Sequence, residues 1–430
     1  MGTYTRILLG ASGAVMALIA GARLSGINGD SGRGSTGSGW SGEVKVSNTG
    51  GLSSGVIGRG LAIDSRNRLH VVWNEQGLPQ RAYYARSTDG GSRWSTGRSL
   101  SDGSRPAYSP NIAVGPGDVL HVAWVEAYAD GSRRVRYSRS GDSGLSWTGV
   151  RTISPAIKGG ISTPSISVDT RNRIHVAWHT GNPDYSQPLC KVFYTRSTNG
   201  GSSFSSARQL NTGSGHAAWP RFSVEGTTGD VVAVAWRDNR AKEDWDVYVG
   251  VSADGGKTFT ERIGVASERP DWDPDVLVDV DGVLHLAVMT MRPGGEGVTV
   301  DYQRSTDLGL TWSEQVTLSE SLSRFPFWAP ATSGGVLWLF WKDERDFRTS
   351  ACPGFGRDRC ADIAGKYSTD GGVSWSAFER STDLGVIEVK LPSPAVGPDG
   401  VPHVVWSDTR GSRSAEALYH VRRLLAPAAP

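Results

Sequence analysis

Two short stretches of this chain gather side chains that chemistry uses. His216-Ala-Ala-Trp219-Pro-Arg221 sets an imidazole, an indole and a guanidinium close together. Glu268-Arg-Pro-Asp271-Trp272-Asp273-Pro-Asp275 sets three alternating carboxylates around a second indole. A guanidinium is a planar, permanently charged donor suited to a carboxylate ligand. Trp219 and Trp272 suit a sugar face, although Trp is also a packing residue. Arg221 and Asp275 read equally well as an internal ion pair. Asp271, Asp273 and Asp275 lack the Gly and distal Glu of a calcium loop, so no metal and no cofactor is expected. A third stretch, Asp343 to Ala364, holds Arg345, Arg348, Arg357, Asp358, Arg359 and Asp362. Cys352 and Cys360 flank part of it at a spacing that closes readily as a disulfide after export. Such a stapled loop is a candidate ligand rim, or a solvated loop kept rigid. Cys190, in LCKVFY, reads as a buried thiol.

What positions these stretches is a repeat. An eight-residue box, S-x-D-x-G-x-x-W, begins at Ser87, Ser140, Ser197, Ser252, Ser305 and Ser368. Asn199 replaces the Asp once, and Phe204 and Phe259 replace the Trp. Upstream of each box runs an apolar stretch ending at Trp73, Trp124, Trp178, Trp236 or Trp341, with Trp406 in a further copy and Val288 in a degenerate one. An alternating strand pattern follows that run, another follows the box, and a fourth, usually opened by Pro, precedes the run. Four short strands in each of seven units predict an all-β, seven-bladed β-propeller, with six blades as the alternative if the Val288 copy is discounted. The last unit has neither box nor fourth strand. Residues 40–47 read like a post-box strand, so they are expected to close the ring and remove its open edges.

Asp and Ser in a tight hairpin satisfy backbone amides, and Gly supplies positive φ, so the boxes are read as structural. The recurring histidines His70, His121, His175, His285 and His403 are read as packing residues. The turns Asp238/Arg240, Asp343/Arg345 and Asp408/Arg410 also recur, and suggest capping carboxylates with Arg bridges between neighbouring blades. Catalysis needs asymmetry, so the residues that break the repeat carry the information. Arg221 and Asp275 lie on innermost strands and are expected to face solvent in the funnel.

The bulk numbers narrow the partners. The net charge is +2 over 430 residues and no long basic run occurs, which argues against nucleic acid. Arg6, the apolar run Ile7 to Ala20 and Ala20-Gly-Ala22 read as a signal peptide over 1–22, too short for a comfortable membrane span. A Gly/Ser-rich linker over 23–39, a propeller over 40–425 and a tail over 426–430 complete the expected organisation. The expectation is therefore a secreted protein, extracellular or periplasmic, with no stable membrane anchor and monomeric.

Over residues 40–425 the boxes make the chain resemble the sialidase (bacterial neuraminidase repeat) superfamily of propellers. That resemblance implies three arginines clamping a substrate carboxylate, a Tyr–Glu nucleophile pair and an Asp acid/base. Arg324-Phe-Pro326 fits the Arg-x-Pro core of the family's Phe-Arg-Ile-Pro motif, with Ser323 in place of Phe. By the resemblance Arg324 is a clamp arginine, Asp358 the acid/base, and Arg221 and Arg292 complete the clamp. The chain departs from the family in placing this motif in the sixth of seven units. It also offers no clear Tyr–Glu pair, and the usual catalytic propeller of the family has six blades.

Three readings follow. The first is an exo-glycosidase of sialidase type acting on terminal acidic sugars, with Arg324, Asp358, Arg221, Arg292 and Asp275 at its centre. The second is a non-catalytic propeller that binds glycans or proteins through Trp219, Trp272, His216, Asp273 and Arg345. The third is a polysaccharide lyase with a His or Tyr base beside a charge-neutralising Arg, for which His216 and His179 are candidates.

Overall fold

The computed structural model describes residues 39–424 except 49–51, 54–58, 77–78, 182–188, 225–227, 241–243, 293, 295–296, 320–322, 330–334, 345–360, 383–390 and 409–415. The expected signal peptide, the linker but for Gly39, the tail and the Cys352–Cys360 pairing therefore lie outside the described residues.

Seven antiparallel sheets follow one another as the blades of a β-propeller. From the innermost strand outward, blade 1 is Leu61–Ile63, Leu69–Gln76, Arg81–Ser87 and Arg98–Ser99. Blade 2 is Ala107–Gly115, Val119–Ala127, Ser132–Ser140 and Arg151–Thr152, and blade 3 is Ile161–Val168, Ile174–Thr180, Val192–Ser197 and Arg208–Gln209. Blade 4 is Ala217–Val224, Val232–Asp238, Asp246–Ser252 and Thr260–Val265. Blade 5 is Asp271–Val278, Leu284–Met291, Val298–Ser305 and Val316–Thr317. Blade 6 is Ser323–Ala329, Leu337–Asp343, Asp362–Ser368 and Glu379–Arg380. Blade 7 is Ser393–Val396, Pro402–Asp408 and Ala417–Arg422, completed by Val44–Lys45 from the other end of the chain. Val44 pairs with His420 and Lys45 with Tyr419, so the ring is closed by its first strand, as the sequence predicts. The Val288 copy is a full blade, which removes the six-bladed alternative.

The apolar core lies between the blades. Each seam holds one cluster, and in six of the seven a fully buried Trp from the second strand (Trp73, Trp124, Trp178, Trp236, Trp341 or Trp406) fills it. Between blades 4 and 5 the degenerate Val288 takes that place, and Trp312 of the box packs against the cluster. In blades 1, 2, 4 and 7 the acid two residues after the Trp accepts its indole N–H, as from Trp73 to Glu75 at 3.3 Å and from Trp406 to Asp408 at 2.9 Å. Arg240 bonds Asp238 and Glu261, both in its own blade, so this turn bridges strands within a blade and not neighbouring blades.

Each box is a closed polar hairpin. In the first, the Ser87 hydroxyl donates to Asp89 at 2.8 Å and accepts the Gly91 N–H at 2.9 Å, while Asp89 accepts the Arg93 N–H at 2.9 Å. Hydroxyl and backbone donors hold Asp142, Asp307 and Asp370 down to about 2. Carboxylates so engaged are turn formers, not acid catalysts.

The recurring histidines do more than pack. His70 Nδ1 meets the Tyr84 hydroxyl at 2.8 Å, and the pattern repeats in His121–Tyr137, His175–Tyr194 and His285–Tyr302. Each of these hydroxyls lies against a box glycine of the next blade, at φ +82° for Gly144 under Tyr84. Blades 4 and 6 lose both partners together, to Ala233 with Val249 and to Trp338 with Gly365. For blade 6 the reason is visible: blade 7, which follows it, has no box. At the closing seam His420 replaces the tyrosine, bonds His403 at 2.9 Å and lies against Gly91. Gly144→Ala is expected to lose about 2–4 kcal/mol in urea unfolding, because its Cβ would meet the Tyr84 hydroxyl at 1.9 Å in a left-handed turn. An unchanged midpoint would remove the latch from this account.

Candidate functional site

In blade 7 Pro392 stands just before the innermost strand, as the pattern suggests, but blades 2 to 6 carry their Pro in mid-strand at a bulge. Register shifts fall between Tyr108 and Asn111, Ser162 and Ser165, Ala218 and Arg221, Trp272 and Asp275, and Arg324 and Phe327. A bulge is where a strand tolerates a residue without an N–H. The residue before each Pro has positive φ: Ser109 at 49°, Thr163 at 31°, Trp219 at 58°, Asp273 at 42° and Phe325 at 57°. Bulky and branched residues adopt this region only when neighbours enforce it. Here the strand of the preceding blade does so. The Trp219 N–H donates to His179 Nδ1 at 3.2 Å, and the Phe325 N–H to Met289 Sδ at 3.2 Å.

The residue after the Pro reaches the ring's centre, and there the expectation of a solvent-facing Arg221 and Asp275 is corrected. Asp275 is fully buried and Arg221 is 8% exposed. Arg59 of blade 1 reaches over to blade 5, its Nη2 3.5 Å from Asp275 Oδ1 and 3.2 Å from the Val276 carbonyl. Asp275 Oδ2 also accepts the Trp328 N–H at 2.8 Å, and the Arg221 guanidinium lies 5.1 Å over the Phe327 ring. The centre is thus plugged at this level. Burial pushes Asp275 up, against the pull of Arg59 and Arg221. Burial pushes Arg221 down, against Asp275 and Asp273. The ion pair that Asp275 makes among the described residues is with Arg59 of blade 1, three blades on around the ring, and not the expected one with Arg221 of the adjacent blade.

The two histidines offered as bases are engaged. His216 Nδ1 accepts the Cys190 N–H at 3.1 Å, and the Cys190 thiol is buried as expected. His179 is fully buried and is held down to about 3 by burial and then by the charges of Arg237 and Arg221. Its Nδ1 already holds the Trp219 N–H. Neither ring offers a free lone pair at the surface. Trp219 stays half-buried, and the Arg237 guanidinium sits between it at 5.7 Å and Trp245 at 4.5 Å. Asp271 is fully buried, accepts the Thr290 hydroxyl at 2.9 Å, and is pushed up to about 6, chiefly by burial. Trp272, Asp273 and Arg292 remain half-buried on the same blade.

Arg324, expected in the clamp, lies in its strand opposite Lys342, while Asp358, expected as the acid/base, and Arg345, expected at the ligand, lie outside the described residues. Three residues escaped the sequence reading: Arg59, Arg237 and Tyr108. Arg59 stands in blade 1 at the position that Pro takes in blades 2 to 6, with Gly60 in the place that follows it, and lining up the seven innermost strands would have exposed it. Tyr108, just before a bulge, is the one tyrosine on an innermost strand among the described residues. The Arg133 guanidinium lies 5.6 Å from its ring centre, donates to the Ile161 carbonyl at 3.3 Å and forms no ion pair among the described residues.

No family model matches the chain, and no curated protein matches it in sequence. Solved structures do share its architecture. The polysaccharide lyase Uly1 superimposes with a TM-score of 0.59 at 10% identity, over 90% of this chain and 100% of that one. An ulvan lyase bound to GlcA(1-4)Rha3S gives 0.57 at 12% identity, over 87% and 95%. A protein of unknown function from Dyadobacter fermentans gives 0.51 at 14% identity, over 74% and 94%. At these identities the chain shares with them a complete propeller fold.

Proposed function

We propose that this chain is a glycan-directed propeller that binds a uronate-containing polysaccharide at the mouth of its ring and cleaves it by elimination. The observation that carries the reading is the Tyr108–Arg133 pair, a phenol beside a guanidinium with no carboxylate partner among the described residues. In elimination a base takes the C5 proton next to the uronate carboxylate. The C4–O bond then breaks, leaving a C4=C5 double bond, and the departing oxygen receives a proton. Tyr108 is the base in this reading. Arg133 holds the carboxylate, whose negative charge grows as the proton leaves. Trp219 and Trp245, with Arg237 between them, form a rigid platform for neighbouring sugars. The full-length likeness to two polysaccharide lyases supports the same chemistry.

Hydrolysis of a sialoside fits the site less well. A sialidase of the kind the resemblance implies needs arginines free to clamp the substrate carboxylate and an accessible carboxylic acid. Asp271 and Asp275 are fully buried, and Arg221 is engaged inside the plug.

The test is the ultraviolet absorbance of the unsaturated uronate, followed on ulvan and on polygalacturonate. A 4-methylumbelliferyl sialoside is run in parallel. Tyr108→Phe is expected to slow elimination by about 10²–10⁴-fold while leaving glycan affinity within about threefold. Fluorophore release without absorbance would replace this reading with the sialidase one. Binding without either signal would leave a glycan-binding module.

A further inference from the structure

We propose that the ligand is engaged as a polymer, and that Arg105 and Arg134, clamped on Tyr128, form a second anion subsite outward of Tyr108 on blade 2. This rests on the reading of the mouth given above. Four positions after the second-strand Trp, or after Val288 in blade 5, blades 4 to 7 carry an arginine: Arg240, Arg292, Arg345 and Arg410. Blades 1 to 3 lack it, with Gly77, Tyr128 and Asn182 there, and of these blade 2 alone places an aromatic ring at the position.

Two guanidiniums converge on that ring, Arg105 at 4.8 Å and Arg134 at 4.3 Å from its centre. In blade 4 the corresponding Arg240 is neutralised by Asp238 and Glu261. Arg105 and Arg134 form no ion pair among the described residues. Among the described residues Arg105 Nη1 meets the Ser104 hydroxyl, at 3.1 Å, and no other acceptor, and Arg134 Nε is buried without a partner among them. The acids whose charge they feel, Asp102 and Asp130, are each tied into their own turns. Ser104 donates to Asp102 at 2.8 and 2.7 Å, and Ser132 to Asp130 at 2.9 and 2.6 Å.

A phenol face flanked by guanidiniums orients their N–H groups without using them up, because cation–π attraction involves the ring and not the hydrogen-bond donors. The result is a fixed, doubly charged donor set for a carboxylate or sulfate. The Ala127 N–H bonds the Pro106 carbonyl at 3.0 Å, which fixes Tyr128 beside the segment that leads into Tyr108. The third strand of this blade, Ser132–Ser140, carries Arg133, Arg134, Arg136 and Arg139 and no acid. One arginine, Arg136, is paired, with Glu126 at 3.2 Å. An acidic chain lying from Arg133 outward thus meets a second cationic step. A ligand consisting of one terminal sugar would not reach it.

The experiment compares affinity for ulvan polymer with that for a size-fractionated ulvan disaccharide, by titration calorimetry. The proteins are the full chain, Arg105→Gln/Arg134→Gln and Tyr128→Phe. The wild type is expected to prefer polymer, per binding site, by 10-fold or more. The double variant should lose that preference while keeping disaccharide affinity and its elimination rate. Tyr128→Phe, which keeps the ring, should retain the preference, and a thermal melt checks that all three fold. A double variant that still prefers polymer overturns the subsite and leaves the proposed function standing. A wild type that binds neither ligand overturns both.

Discussion

Asp275→Ala is expected to destabilise the propeller by about 3–5 kcal/mol, the largest single-residue effect we foresee in its centre. Asp275 is the carboxylate against which Arg59 is set, and it holds the Trp328 N–H that seats blade 6. Removing it leaves the 10%-exposed Arg59 side chain and the buried Arg221 facing each other's charge, with Asp273 as the remaining offset at Arg221. Truncating one partner of a buried charge cluster costs far more than the cluster adds to stability. Asp275→Asn keeps an acceptor for Trp328 and should cost less than the alanine. Urea unfolding followed by Trp fluorescence reads the difference. Arg59→Gln in the Asp275→Ala background should recover part of the loss. A loss below about 1 kcal/mol for Asp275→Ala would mean that the plug is loose and wet.

The second large effect is loss of stability in acid, starting near pH 6.5. Burial holds His121 and His403 down to about 3, and lowers His70, His175 and His420 as well. The folded protein keeps these rings neutral, whereas the unfolded chain protonates them at their ordinary value. The unfolded state therefore binds more protons below about 6.5, and stability declines from there toward about pH 3. His121 and His403 each remove about 1.4 kcal/mol per pH unit within that window, and the other three act in the same direction. His70 and His175 also contact Asp64 and Asp169, whose lowered carboxyls add a loss that begins only further down, in the carboxylate range.

The closing seam is the most exposed to this effect. There two imidazoles share one contact, with Arg422 as the neighbouring cation and the Trp94 ring 5.6 Å from His420. His420→Tyr should restore the pairing used by blades 1, 2, 3 and 5 and flatten the slope of stability against pH. If wild type and variant have the same slope between pH 6.5 and 4, the seam is not where acid acts.

The architecture was legible because every blade must make its own hairpin. The box records that need at each turn, so the count survives even where Val288 replaces a Trp. Ring closure was legible for the same reason, since a blade without a fourth strand requires one from elsewhere. The site was less legible. Pro220 and Pro274 read as strand openers because the bulge that tolerates them depends on contacts from the blade before. His179 and His216 read as bases because sequence gives a residue type without its occupied lone pairs. Arg59 was missed because its partner lies 216 positions along the chain. Of the clamp that the resemblance implied, Arg221 is buried, and Asp358, implied as the acid/base, lies outside the described residues.

The closing strand carries a consequence for how the molecule is made. The Leu418 N–H bonds the Ser47 hydroxyl across 371 positions, and Val46 N–H bonds the Leu418 carbonyl. On a ribosome the earlier partner emerges first and must wait through synthesis of six blades before its mate exists. Until then the growing arc ends in raw β-edges, and those edges invite pairing with another chain. Quality control of this protein is thus concentrated in one late event, the meeting of its oldest strand with its youngest.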